Sequence, residues 1–239
     1  MATKIVHWDS KTCPYAQRSW ITLLEKKLPF EISQVDLNNK SQEFQDLYAS
    51  INPDPAASAK VPILIDGDTK LIESAIVVEY LVDKYRGQGE ELLPTDPATA
   101  AKVRLFTDAF QSHFGGVLFA LLRADSQEGL AAAKEKLVTG LQVLDKFLTW
   151  HAVNDGGDYF LGSQYSLAEV LPTGFLQRAL VALPHFRGVD VWGIIKEHNL
   201  SRLESWIKAA LDRPSAKETQ PADDVILNGW KKFATPLKD

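Results

Sequence analysis

The feature that most constrains the fold of this chain is a change of pattern near residue 90. The first eighty-odd residues alternate short strand-like and helix-like segments, whereas the later residues have helical periodicity only. Between the two parts lies a polar stretch with glycines and prolines, of the kind that separates domains. We therefore predict a first domain over residues 1–86, a linker over 87–97 and a helical domain over 98–239.

In the first part, the hydrophobic patterns predict the element order β-α-β-α-β-β-α. The predicted strands cover residues 4–8, 30–35, 61–65 and 69–72, and the predicted helices cover 14–27, 41–50 and 73–85. Asp66-Gly67-Asp68 is typical of a hairpin turn between the last two strands. On the last helix, the spacing of Ile76, Val77, Tyr80 and Leu81 predicts one buried face.

In the second part, every segment is predicted to be helical. The helices are expected over residues 97–123, 126–151, 166–182, 191–197, 201–212 and 222–233. The third of them has the clearest start, because Ser166 and Glu169 have the spacing of a capping box and Tyr165 with Val170 that of a hydrophobic staple. Leu183-Pro184 is expected to end it.

Composition narrows the class of protein. The chain has 239 residues with 26 basic and 31 acidic side chains, a net charge of -5 that argues against a nucleic-acid ligand. A single cysteine cannot form an intramolecular disulfide, which favours a reducing compartment. The first residues lack a targeting pattern, and apolar runs such as 117–122 are too short to span a bilayer. We therefore expect a cytoplasmic protein without a membrane segment.

The single cysteine, Cys13, lies between a predicted strand and a predicted helix that begins with Pro14. Backbone N–H groups and the helix dipole favour an anion there, and such positions lower a thiol pKa from ~8.5 to roughly 3.5–7.5. Lys11 or Arg18 would add positive charge. The alternative is a buried structural thiol. The polar Lys11-Thr12 flank favours the reactive thiol instead.

Ala16 stands where a C-x-x-C motif would have its second cysteine, and the chain has no other cysteine. Any disulfide of Cys13 must therefore be formed with a small thiol or with another protein. Glutathione is the obvious intracellular partner.

Three segments together carry a family resemblance. They are Cys13-Pro14-Tyr15-Ala16-Gln17-Arg18, Lys60-Val61-Pro62-Ile63-Leu64 and Glu73-Ser74, in that order. In these the chain resembles the cysteine-type glutathione transferases, above all the omega and lambda classes, which share a monothiol glutaredoxin-like motif. The resemblance covers the whole chain. It implies an α/β thioredoxin-like N-terminal domain and an all-α C-terminal domain.

The resemblance also implies a role for each matching residue. Cys13 would be catalytic, Pro62 would be a cis proline, and glutathione would be the co-substrate. Predicted contacts to glutathione are Pro14, Tyr15, Leu37, Lys40, Lys60, Val61, Pro62, Glu73 and Ser74. Ser74 would meet the γ-glutamyl carboxylate, Glu73 the ammonium group and Lys40 the glycyl carboxylate. In a purely structural interpretation, Ser74 is a helix cap, Lys40 a solvated charge and Pro62 a strand-edge proline.

A small hydrophobic or disulfide co-substrate would bind in the second domain. The residues predicted to line its pocket are His113, Phe114, Arg178 and Trp230. The five histidines are scattered and show no metal-ligand spacing, so we expect no metal cofactor. Omega-type relatives are usually dimers and lambda-type ones usually monomers, so the resemblance leaves both states open.

The predicted activity is glutathione-dependent thiol transfer or reduction: deglutathionylation, reduction of mixed disulfides, or reduction of dehydroascorbate. It would proceed through a mixed disulfide between Cys13 and glutathione. Two alternatives remain open from the sequence. One is conjugation of glutathione to electrophiles, and the other is non-catalytic binding of glutathione or another ligand by the same fold.

Overall fold

The computed structural model describes residues 4–238, and residues 1–3 and 239 lie outside this description. Residues 1–3, on which the prediction about targeting rests in part, therefore lie outside the described range. The chain divides into two compact units, with the boundary between Glu91 and Leu92. The predicted domain limits of 1–86 and 98–239 stay a proposal.

The first unit is a four-stranded sheet with three helices, in the predicted order. Its elements are β1 (Ile5–Asp9), α1 (Pro14–Glu25), β2 (Phe30–Gln34), α2 (Gln42–Ala49), β3 (Ile63–Asp66), β4 (Thr69–Leu71) and α3 (Ser74–Lys84). The strand order is β2-β1-β3-β4, with β1 parallel to β2 and antiparallel to β3. This is the thioredoxin-like arrangement, as predicted.

Two apolar clusters hold this unit together. One contains Ala16, Phe44 and Ile63, and the half-buried Cys13 packs against it. The other joins residues of β1, α1, β3 and α3, including Leu23 and Leu64. Packing of Cys13 on the first cluster fixes the position of the thiol beside the core.

The buried face of α3 differs from the prediction at two residues. Val77 and Leu81 are buried as expected, but Ile76 is 58% exposed and Tyr80 is only partly buried. Val78 and Val82 complete the buried face instead, because the face toward the sheet is centred about one residue further along the helix.

In the second unit, as described through residue 238, the regular elements are helices, and isolated bridges occur in the connections. Its elements are α4 (Pro97–Phe110), a π-helical turn (Gln111–Gly115), α5 (Gly116–Arg123), α6 (Gln127–His151), α7 (Leu167–Arg187), α8 (Val191–Glu197), α9 (Ser201–Asp212), α10 (Pro214–Thr219), α11 (Asp223–Trp230) and a 3-10 turn (Lys231–Phe233). The predicted helix 97–123 is thus one continuous helical path with a π-helical turn in its middle.

That continuous path, Pro97–Arg123, is long and apolar enough to cross a membrane by length and composition, against our expectation from single apolar runs. Half of its most apolar stretch is buried inside the protein. Val103, Phe106, Phe110 and Leu118 are among its buried residues. The apolar face is explained by burial in the core, so we interpret the path as a core helix.

The predicted capping box at the start of α7 is confirmed. Glu169 accepts hydrogen bonds from the Ser166 backbone N–H at 2.9 Å and from its hydroxyl at 2.9 Å. The same carboxylate also accepts from the Phe160 backbone N–H at 2.7 Å and from the Trp206 indole at 2.8 Å. All four groups lie in the interior, so this box joins α7 to α9 as well as starting α7.

The predicted end of α7 at Leu183-Pro184 is wrong, because the helix continues to Arg187. Pro184 lacks an N–H, yet its carbonyl oxygen accepts the backbone N–H of Gly188 at 3.1 Å. Gly188 has φ of 61°, the left-handed conformation that ends helices. The helix therefore ends where the backbone can reverse, and it tolerates the proline inside.

Candidate functional site

Cys13 occupies the N-cap position of α1, directly before Pro14, as the sequence predicts. Its backbone is extended, with φ of -93° and ψ of 115°, and its N–H donates to the carbonyl oxygen of Ser10 at 2.8 Å. The thiol is half-buried. It therefore sits at the positive end of a twelve-residue helix dipole, next to solvent.

Across from Cys13 lies the segment that leads into β3. Sγ of Cys13 is 4.0 Å from the carbonyl oxygen of Val61. The peptide bond between Val61 and Pro62 is cis, as the family resemblance implies. These groups are 48 residues apart in sequence, so the sheet brings them together.

A cleft of about 400 Å³ opens beside this pair. Its lining residues are Tyr15, Tyr48, Lys60, Val61, Pro62, Ile72, Glu73 and Ser74. The structure thus collects most of the predicted glutathione contacts in one place. Tyr48 and Ile72 were missed, because in the sequence they are ordinary apolar positions of a helix and of a strand end.

Glu73 and Ser74 form the corner of the cleft where α3 begins. Glu73 has φ of 68° and ψ of 108°, an unusual conformation for a residue with a side chain. Such strain concentrates at ligand sites and costs about 1–3 kcal/mol. Ser74 is the first helical residue, and its hydroxyl oxygen accepts a hydrogen bond from Arg18 Nη1 at 3.2 Å.

Arg18 lies behind the cleft, 8% exposed. Its guanidinium carbon is 5.1 Å from the centre of the Tyr15 ring. Burial lowers the pKa of Arg18 to about 10, and the neighbouring Tyr15 and Cys13 act in the opposite direction. Arg18 therefore stays positively charged at neutral pH, close to the thiol.

Lys40 and Leu37 take positions apart from this cleft. Lys40 Nζ donates to the Ala59 carbonyl oxygen at 2.8 Å and to the Ser58 hydroxyl at 3.0 Å. It lines a neighbouring cleft of about 480 Å³ formed by α2 and residues 52–59, and Tyr48 lines both clefts. Leu37 packs, partly buried, against the apolar cluster around Phe44.

The four residues predicted for a co-substrate pocket are not brought together. Phe114, Arg178 and Trp230 are each 1% exposed. Phe114 packs beside Phe110, Trp230 stacks on Phe119, and Arg178 donates to the Gly174 carbonyl oxygen at 2.9 Å. Since their side chains fill the interior, we do not assign these three to a pocket.

His113 differs from the other three because it lines an open cleft of about 440 Å³ in the second unit, between the π-helical turn and α6. Across the described residues 4–238, no group of three or more His, Cys, Asp or Glu side chains is placed to hold a metal ion.

The fold and this cleft define a class: a thioredoxin-like domain with a cysteine at the start of its first helix, followed by a helical unit. Residues 8–89 match the family model described as "Glutathione S-transferase, N-terminal domain". "Glutathione S-transferase F10" of Arabidopsis thaliana is 30% identical over 173 residues, which cover 68% of this chain and 75% of that protein. "Probable glutathione S-transferase DHAR1, cytosolic" of Oryza sativa subsp. japonica is 28% identical over 220 residues, covering 91% and 88%.

Among solved structures, glutathione transferase Omega 3C from Trametes versicolor superposes with a TM-score of 0.80. It is 26% identical, and the match covers 96% of this chain and 89% of that one. The chain belongs to the glutathione S-transferase family, whose members use glutathione as co-substrate.

Proposed function

We propose that this protein is a glutathione-dependent thiol transferase of the cysteine type, which reduces mixed disulfides through Cys13. One observation carries the proposal: a thiol at the start of α1 lies 4.0 Å from the Val61 carbonyl oxygen, beside the cleft that ends at Glu73 and Ser74. A hydroxyl or phenol nucleophile could not form a disulfide at this position, whereas a thiol can.

Each unit of a glutathione molecule bound in the cleft would contact a different set of residues. Its cysteinyl unit pairs with the Val61 backbone like an added strand. Its γ-glutamyl carboxylate meets the start of α3 and the Ser74 hydroxyl, and its ammonium group meets Glu73. We propose that the remaining contacts are those the sequence predicts, with Pro14, Tyr15, Lys60 and Pro62 around the sulfur and Leu37 and Lys40 toward the glycyl end.

The reaction is a pair of thiol–disulfide exchanges. The Cys13 thiolate attacks the glutathionyl sulfur of a mixed disulfide, the Cys13–glutathione S–S bond forms, and the substrate leaves as a thiolate that takes up a proton. The thiolate of a second glutathione then attacks the glutathionyl sulfur on Cys13, releasing oxidised glutathione and the Cys13 thiolate. Reduction of dehydroascorbate would instead consume two reduced glutathiones, which leave as oxidised glutathione while two electrons and two protons pass to that oxidant.

The resemblance to the omega and lambda classes supports the cysteine-type assignment, and the similarity to an omega-class structure at 26% identity agrees with it. Conjugation of glutathione to electrophiles is the weaker alternative, because a thiol beside the glutathione sulfur tends to form a disulfide with it. We further propose a cytoplasmic location, in line with the word "cytosolic" in the name of the rice relative.

The decisive experiment compares wild type with Cys13→Ser in the glutathione-dependent reduction of a glutathionylated peptide. We expect wild-type turnover and a single glutathione adduct by mass spectrometry after treatment with oxidised glutathione. Because Cys13 is the only cysteine, that adduct can form nowhere else. Cys13→Ser should lose both while still binding S-methylglutathione.

Equal reduction rates for the two proteins would refute the mechanism. A third result, loss of reduction together with a gain of conjugating activity in Cys13→Ser, would support it, since the thiol would then determine the type of reaction.

A further inference from the structure

The mechanism leaves the role of one buried charge open. Arg18 is nearly inaccessible, yet it lies behind an open cleft and stays positively charged at neutral pH. A buried guanidinium is costly unless it has partners that need its charge. Two of the groups that it contacts are the Ser74 hydroxyl oxygen, at 3.2 Å from Nη1, and the Tyr15 ring, whose centre is 5.1 Å from the guanidinium carbon.

In the hydrogen bond between Arg18 and Ser74, the guanidinium is the donor and the serine hydroxyl is the acceptor. A serine hydroxyl has one proton to donate and two lone pairs that accept. Because Arg18 Nη1 donates to this oxygen, the hydroxyl proton of Ser74 remains available for an acceptor in the cleft. A hydroxyl that accepts from a cation is also a better donor, since chains of hydrogen bonds polarise one another.

We propose that Arg18 is a positioning residue that serves both halves of the glutathione site: it directs the Ser74 hydroxyl toward the ligand carboxylate, and its charge stabilises the Cys13 thiolate. This inference rests on the proposed function, because it assumes glutathione in the cleft. The second half rests on position. Arg18 follows Cys13 by five residues on α1, with Cys13 at the N-cap of that helix, and the Coulomb interaction between the two groups favours the charged form of Arg18.

The other titratable groups around α1 include one imidazole, one buried carboxyl group and two lysines. On β1, burial lowers the pKa of His7 to about 4, so His7 is neutral at physiological pH. Asp9 is buried beside it, with Oδ1 at 3.8 Å from His7 Nε2 and Oδ2 bonded to Gln34. Lys11 stands two residues before Cys13, and Lys60 lines the cleft. Arg18 is therefore the cation that the described contacts place at Ser74.

The test measures thiol ionisation and ligand binding separately, without turnover. Ultraviolet absorbance of the thiolate gives the titration midpoint of Cys13, with Cys13→Ser as the blank, and calorimetry gives the affinity for S-methylglutathione. Arg18→Gln should raise the thiol midpoint by about one unit or more and weaken binding about tenfold or more. Ser74→Ala should weaken binding and leave the thiol midpoint unchanged.

Two further variants complete the design. Arg18→Lys keeps the charge but loses the guanidinium fork, so it should restore the thiol midpoint and not the affinity. Arg86→Gln is the matched control, because its guanidinium pairs with Asp83 at 2.6 Å on the surface of the same unit, and it should change neither quantity.

An unchanged thiol midpoint in Arg18→Gln would overturn the proposal, as would a Ser74→Ala variant that moves the midpoint equally. If Arg18→Gln does not fold, as judged by circular dichroism, Arg18→Lys carries the test, and wild-type affinity in that variant would overturn it. These outcomes are distinct from failure of the proposed function, because a protein without Cys13-dependent turnover would still show both titration and binding.

Discussion

Removing one hydroxyl group at the start of α7 should destabilise the protein more than removing the same group from another helix start. Ser166 and Ser126 are both N-caps, of α7 and of α6. The Ser126 hydroxyl is half-buried and accepts one hydrogen bond, from the Gly129 N–H at 3.2 Å. Ser126→Ala should therefore cost about 1 kcal/mol, the usual value for a helix N-cap.

Ser166 is fully buried, and its hydroxyl makes two bonds. It accepts from the Ala168 N–H at 3.2 Å and donates to the Glu169 carboxylate at 2.9 Å. Ser166→Ala leaves a buried N–H without that acceptor, which costs about 1–3 kcal/mol, and removes a bond to a carboxyl group worth up to a similar amount. Because the two losses overlap, we expect a total of about 2–4 kcal/mol.

Urea unfolding of the two variants and wild type, followed by far-ultraviolet circular dichroism, gives the difference directly. The comparison uses the unfolding midpoint and the slope of free energy against urea, and an unchanged slope shows that the unfolded state is comparable. If Ser166→Ala lowered the free energy of unfolding no more than Ser126→Ala does, burial of Ser166 and its hydrogen bond to Glu169 would not contribute to stability. Our reasoning about the capping box would then be refuted.

Two further predictions concern the helical unit. A Cβ on Gly140 would overlap the His113 carbonyl oxygen, so Gly140→Ala should lower the free energy of unfolding by about 1–3 kcal/mol. Gly116→Ala is the control, because a Cβ there meets only ordinary contacts and should not lower it. Equal urea midpoints for the two variants would contradict this prediction. Burial raises the pKa of Glu169, and its hydrogen bonds act in the opposite direction. The folded protein therefore keeps the Glu169 proton to a higher pH than the unfolded chain does. As the pH rises above the ordinary pKa of a glutamate, the contribution of Glu169 to the free energy of unfolding falls. The destabilisation by Glu169→Gln should therefore be smaller at pH near 8 than at pH near 4, and the opposite trend in urea unfolding at the two pH values would show that the pKa is lowered.

Much of the fold could be predicted because its determinants are local. The period of apolar residues gave the seven elements of the first unit, and Pro14 and Ser166 marked helix starts correctly, since caps act within one turn. Helix ends were less predictable. In the sequence, Pro184 predicts a helix end. The structure tolerates the loss of its one N–H, and the helix continues to Arg187 and is capped by Gly188.

The sequence by itself determined that Cys13 is a single thiol at a helix start, because one cysteine, one following proline and the strand–helix pattern are all local facts. Tertiary structure alone decided which groups surround it. Val61 lies 48 residues away and Ser74 lies 56 residues from its partner Arg18, and only sheet pairing and the packing of α1 on α3 join them. Tertiary packing also buries Phe114, Arg178 and Trp230, three of the four residues predicted to line the co-substrate pocket. Apolar and aromatic residue types do not reveal whether they face a ligand or a neighbouring helix, because the physical chemistry of both environments is the same.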